Sequence, residues 1–162
     1  MPCTAFVLRL MSAAMRRGML NALSLVGYLG MGGSTVVLIV THNLFSSSPI
    51  VIAVQVAAVA LILWARLTFG WRSFHFAANP TEGGLVTRGP YRHIRHPIYT
   101  AFCLFTWAGV VAHWSLKTGW WGGLAVGSAL LRMICEETLV ATRYPEYRRY
   151  AATTWRMIPY VF

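Results

Sequence analysis

Three segments of this 162-residue chain concentrate the side chains that can do chemistry. The first is Gly89-Pro90-Tyr91-Arg92-His93-Ile94-Arg95-His96-Pro97-Ile98-Tyr99, with two Arg and two His within five residues. Gly-Pro and the second proline fix an unusual backbone path, and so much basic and aromatic chemistry exceeds what membrane anchoring needs. The second is Arg132-Met133-Ile134-Cys135-Glu136-Glu137. Arg132 and Glu136 are four apart and can pair on one helix face. Glu137 points about 100° away and lacks that partner. An uncompensated Glu near a membrane calls for a cation from elsewhere. The third is the tail, Arg143-Tyr144-Pro145-Glu146-Tyr147-Arg148-Arg149-Tyr150 and then Trp155-Arg156-Met157-Ile158-Pro159-Tyr160. Pro145 can open a short helix with Tyr147 and Tyr150 on one face, which also fits a basic, aromatic helix lying in an interface.

The elements that must position these residues follow from composition. Hydrophobic residues make up 57% of the chain and charged residues 11%, against about 25% charged in a soluble domain. So few charges cannot cover a water-facing surface, whereas lipid needs no such cover. There are 13 Arg and one Lys against four Glu, with no Asp. The basic residues border long apolar runs, which points to anionic lipid headgroups and away from nucleic acid. Cys3, Cys103 and Cys135 match no metal spacing and read as reduced thiols. No metal is expected.

These features predict an all-α, polytopic membrane helix bundle in a single domain, 1–162. It should have about four transmembrane helices, near 19–41, 50–69, 97–115 and 119–140, and a short C-terminal interfacial helix. His42 to Pro49 reads as a turn, and Ser115 to Gly119 as a tight turn before the fourth helix. That helix is charge-free only to Leu131, so a full span of roughly 20 residues carries Arg132, Glu136 and Glu137 into its last turns. With four spans every Arg falls on one side and only Lys117 on the other, which makes the arginine side and both termini cytoplasmic. A multi-pass protein of a bacterial or archaeal inner membrane is expected. Met11, Met15 and Met19 are alternative starts, so residues 1–18 need carry little function. Gly119, Gly123 and Gly127 recur every fourth residue and admit a close neighbour; internal packing is the first expectation and a homodimer the second.

Taken in order, Gly89-Pro90-Tyr91, Arg95-His96-Pro97-Ile98-Tyr99, Glu136-Glu137, Tyr147-x-x-Tyr150 and Ile158-Pro159 resemble the isoprenylcysteine carboxyl methyltransferase family and the related phospholipid methyltransferases. The resemblance runs from about Leu85 to the C-terminus, and the first two helices match only in character. It implies S-adenosylmethionine as methyl donor, bound on the cytoplasmic side by about 85–162. Gly89, Pro90, Tyr91, His96, Tyr99, Glu136 and Glu137 would belong to the cofactor site, and Arg95 would orient an anionic acceptor. Arg95 and Glu137 are the expected catalytic residues. Physical chemistry agrees: a carboxylate can accept from the donor's ammonium or ribose hydroxyls, Arg or His can hold its carboxylate, and Tyr91 or Tyr99 can stack on adenine. Glu137, not claimed by Arg132, is expected to be the freer carboxylate.

The expected partners are the bilayer and a hydrophobic or lipid-linked acceptor. Eukaryotic carboxyl methyltransferases have more helices, so the acceptor atom (oxygen, sulfur or nitrogen) stays open. Two alternatives remain. Arg-His-Pro-x-Tyr also occurs in membrane sterol reductases, which allows a nicotinamide-dependent membrane reductase. The glycine stripe allows a small non-enzymatic accessory protein.

Overall fold

The computed structural model describes residues 13–70 and 85–162. Cys3, Arg9, Met11, Trp71, Arg72 and Glu82 lie outside them. The described residues form five α-helices: α1 (Ala13–Val40), α2 (Pro49–Phe69), α3 (Pro97–Ala112), α4 (Leu116–Arg143) and α5 (Tyr147–Thr153). A 3-10 turn, Gly89–Arg92, precedes α3. No strand occurs among them; Ile94 and Trp155 form an isolated parallel bridge.

Two helix starts differ from the sequence reading. Helix α1 is already helical at Ala13, the first described residue and six residues before the apolar run at 19, because Ala, Met and Arg are good helix formers that carry the helix past the lipid boundary. Helix α4 begins at Leu116, not at Gly119. Ser115 caps it: the Ser115 hydroxyl accepts from the Thr118 N–H, and the Thr118 hydroxyl accepts from the Ser115 N–H. This reciprocal cap satisfies two backbone donors and turns the expected turn into a first helical turn.

Helices α1 and α2 are long and apolar enough to cross a membrane. Helix α3 is apolar but has 16 residues, about 24 Å at helical rise, short of a core of about 30 Å. Helix α4 has 28 residues and carries Arg132, Glu136 and Glu137 on its C-terminal half. Val26, Leu29, Val36 and Val40 of α1 are exposed, as are Ile50, Val56, Leu63 and Leu67 of α2. An apolar surface of this extent suits lipid, not water.

Small residues set the seams. Gly27 of α1 lies against the Ser128 carbonyl and Arg132 of α4, and Gly30 lies against the Ser128 side chain. Between α2 and α3, the buried Gln55 amide donates to the Leu44 carbonyl at 2.8 Å and the Phe105 carbonyl at 3.3 Å. Such interhelical bonds are worth roughly 0.6–2 kcal/mol in lipid. Helix α4 meets Val110 and Trp107 of α3 through Gly122. The stripe singled out in the sequence lies elsewhere: Gly119 faces the Trp114 ring, while Gly123 and Gly127 have open space above them. Internal packing therefore runs through Gly122, Ala125, Ser128 and Ala129, which are buried.

The helices alternate in direction. Leu20 near the start of α1 clusters with Cys135 and Leu139 of α4. Thr68 at the end of α2 touches Gly89, and Tyr99 at the start of α3 bonds Glu136. The arginine-bearing helix ends thus gather at one end of the bundle, with Lys117 at the other.

Candidate active site

The basic segment before α3 is shaped by its backbone. Gly89 has φ +59 and lies so close to Thr68 that a Cβ would collide with its side chain. Only glycine takes this left-handed, crowded position without cost. Pro90 is the second residue of the 3-10 turn, and it and Tyr91 are buried; the Tyr91 ring lies 5.6 Å from that of Phe69. The Tyr91 carbonyl accepts from the Tyr150 hydroxyl at 2.6 Å, which fixes α5 to the turn. Burial pushes the Tyr91 and Tyr147 phenols well up and that of Tyr150 to about 12. All three stay protonated at neutral pH.

Residues 93–96 are then stitched to the C-terminal segment. The Arg95 N–H donates to the Trp155 carbonyl, the His96 N–H to the Arg156 carbonyl, and the Trp155 N–H to the His93 carbonyl, at 2.7, 2.9 and 3.0 Å. The Arg95 guanidinium also donates to the Ala151 and Thr154 carbonyls. Thr100 of α3 donates to the Met157 carbonyl at 2.9 Å. Pro97 follows at the first position of α3, where its missing N–H is harmless.

Two carboxylate clusters sit on this frame. Glu137 Oε1 receives Arg95 Nε at 3.0 Å and lies 3.2 Å from His96 Nε2, while Oε2 receives Arg156 Nε at 3.1 Å. Arg95, His96 and Glu137 are nearly buried, whereas the Arg156 side chain is 41% exposed. Glu136 Oε1 receives Arg132 Nε at 3.1 Å and the Tyr99 hydroxyl at 2.7 Å. Arg132 Nε also lies 2.8 Å from the Tyr99 hydroxyl, closing a triangle.

This geometry corrects one expectation. Glu137 is not the freer carboxylate, because three basic side chains from two other segments converge on it. Glu136 pairs with Arg132 as its spacing indicated, but all its contacts use Oε1. Its Oε2 has no protein partner among the described residues, and its side chain is 25% exposed against 13% for Glu137. Arg95, expected to face an acceptor, directs its guanidinium to Glu137 and two carbonyls. Glu146 is apart from both clusters, in an open groove with Thr87, Arg149 and Tyr150.

Of the sequence-selected residues, His96, Tyr99, Arg95, Glu136 and Glu137 come together around α4, and Gly89-Pro90-Tyr91 buttress them through Tyr150 and α5. Arg156 was missed. The one available signal was the surplus of tail arginines facing a lone carboxylate. The Ala151 and Thr154 carbonyls could not have been found, since backbone groups leave no mark in residue types.

A helical bundle that exposes apolar faces and gathers buried ion pairs at one end is a membrane protein with a built polar site. Over residues 45–147 the chain matches the phospholipid methyltransferase family, and it belongs to that family. This is the family of isoprenylcysteine carboxyl methyltransferase-like membrane methyltransferases, and its activity is methyl transfer. The match reaches back over α2, which the sequence motifs did not cover. No curated protein and no solved structure matches the chain.

Proposed function

We propose that this protein is an integral membrane methyltransferase that uses S-adenosylmethionine to methylate a lipidic or hydrophobic small molecule, in the manner of the isoprenylcysteine carboxyl methyltransferases. The observation that carries the reading is the Glu136 carboxylate, oriented through Oε1 by Arg132 and Tyr99, with Oε2 left to accept from a ligand, in a chain whose family transfers methyl groups. The family match favours methyl transfer over hydride transfer to a nicotinamide, and over a purely accessory role.

The residues present fit this donor. An ammonium or ribose hydroxyl suits Glu136 Oε2. The His96 ring lies 5.7 Å from that of Tyr99, giving an aromatic edge beside that carboxylate. When bound, S-adenosylmethionine supplies an electrophilic methyl on a sulfonium. The chain's own contribution is alignment of donor and acceptor and exclusion of water by apolar helix faces. Glu137, with Arg95, His96 and Arg156, keeps the segment before α3 and the C-terminal segment in register with α4. In this reading Arg95 acts on an acceptor through the frame it builds.

The same proposal includes four spans, with α3 and α4 completing the crossing, and both termini in the cytoplasm. The outward Gly123 and Gly127 offer a face to a second copy. Calorimetry on detergent-purified protein tests the cofactor: S-adenosylmethionine and its demethylated product should bind, and NADPH should not. Tight NADPH binding overturns the proposal. Reporter fusions after Ser47 and Lys117 should lie opposite to fusions after Gly84 and Phe162; an outside signal at Gly84 overturns the four-span topology.

A further inference from the structure

Helix α1 precedes the first residue of the family match, at 45, yet it packs along α4 more extensively than any other helix does. Its contact is polar as well as apolar. Arg132, 6% exposed, donates to the Ser24 carbonyl at 3.4 Å, and its guanidinium carbon lies 5.0 Å from the centre of the Tyr28 ring. The same guanidinium orients the Tyr99 hydroxyl and Glu136. Gly27 makes this possible: a Cβ there would strike the Ser128 carbonyl and the Arg132 stem, so only glycine brings α1 close enough for its neighbour Tyr28 to cover the arginine.

A guanidinium in a low-dielectric site is costly unless its edges meet acceptors and its face is covered. Glu136 and Tyr99 serve one edge, and the Ser24 carbonyl a second. An aromatic face attracts a cation through its quadrupole, more strongly where water is excluded, and Arg suits this stacking better than Lys. We infer that Tyr28 is a positioning residue for the methyltransferase site: its ring holds Arg132, and Arg132 in turn aims Glu136 and Tyr99. The inference rests on the proposed role of Glu136 in holding the donor. It makes α1 part of the functional unit, although the family match does not include it.

The test uses full-length protein in detergent, with S-adenosylhomocysteine as the probe in calorimetry. Tyr28→Leu keeps an apolar side chain for lipid and removes the π-face, and affinity should fall about three- to thirtyfold. Tyr28→Phe keeps the face and should bind within about twofold of wild type; the Arg132 background then separates a hold on the arginine from space-filling alone. In an Arg132→Met background, Tyr28→Leu should cost no further affinity, because independent contacts add and coupled ones do not. Tyr28→Met serves as a second non-aromatic variant should the leucine form fail to fold. Wild-type affinity in the folded Leu or Met variant overturns the inference, as does a full additional loss in the Arg132→Met background. Failure of the wild-type protein itself to bind the probe overturns the methyltransferase reading instead, so the two failures are told apart.

Discussion

Glu136 and Glu137 are adjacent in sequence, yet they do different work. Glu137 is clamped by Arg95, His96 and Arg156, which arrive from the segment before α3 and from the C-terminal segment. Glu136 is held by Arg132, one turn back on its own helix, and by Tyr99 on α3. A rotation of about 100° per residue sends the two side chains into separate surroundings. One carboxylate ties distant segments together and is saturated. The other is oriented from one side, through Oε1 alone among the described residues. In the proposed methyltransferase reading, Glu137 holds the frame and Glu136 meets the ligand, and the two are told apart by where their partners come from.

Removing the saturated carboxylate should have the largest effect. Glu137→Gln leaves the Arg95 guanidinium nearly buried without its counter-ion, and breaking a buried pair from one side costs about 3–5 kcal/mol. Thermal unfolding in detergent should show a large drop in midpoint, with donor binding lost alongside it. A variant that melts like wild type would remove Glu137 from the frame.

Glu136→Gln should separate binding from stability. Glu136 meets one guanidinium where Glu137 meets two, and it is the more exposed of the pair, so the midpoint should fall less than in Glu137→Gln. Donor affinity should fall by roughly 1.5–3 kcal/mol, the worth of a hydrogen bond to a charged group. Glu146→Gln, exposed and apart from both clusters, should change neither. Equal donor affinity in the Glu136 and Glu146 variants would erase the distinction drawn between the two neighbours.

Arg95→Lys probes the frame more gently. Lysine can reach Glu137 or the carbonyls of Ala151 and Thr154, but a point charge cannot serve both as a fork does. One unmade buried bond costs about 1–3 kcal/mol. Stability and donor binding should therefore fall together. Loss of turnover with an unchanged midpoint and unchanged donor affinity would instead place Arg95 against the acceptor.

The contrast between the carboxylates was only half legible in the sequence. The Arg132–Glu136 pair is visible because helical periodicity is local: four residues apart means one face. The apolar runs likewise gave α1 and α2 and the C-terminal end of α1 within a residue. What failed was non-local or carried by backbone. Arg156 lies 19 residues from Glu137 across a break in the helix, and no period connects them. Ser115 and Thr118 cap α4 through side chain-to-backbone bonds, in a stretch whose composition reads as a turn. The outward Gly123 and the inward Gly122 are neighbours of the same type. Only the packed position of α3 decides which of them is crowded.

The smallest expected effect tests how α5 is fastened beside the Glu137 cluster. Tyr150→Phe removes the bond from the hydroxyl to the Tyr91 carbonyl, a net loss of about 0.5–1.5 kcal/mol. Its pH dependence carries a sign. Burial raises the Tyr150 phenol from about 10 to about 12, so the folded protein holds that proton where the unfolded chain releases it. Stability from this group is complete below pH of about 10 and is lost as the pH rises towards about 12. Tyr91 and Tyr147 are shifted in the same direction by burial, and Tyr147 also faces the charge of Glu137. Wild-type protein should therefore lose midpoint steadily between pH 10 and 12. Tyr150→Phe should start lower at pH 8 and decline less steeply, since it has one fewer proton to lose. Parallel curves for the two proteins would mean that Tyr150 is not held by its hydroxyl, and that α5 stays against the turn through the Tyr147 ring and the arginine bonds of the frame alone.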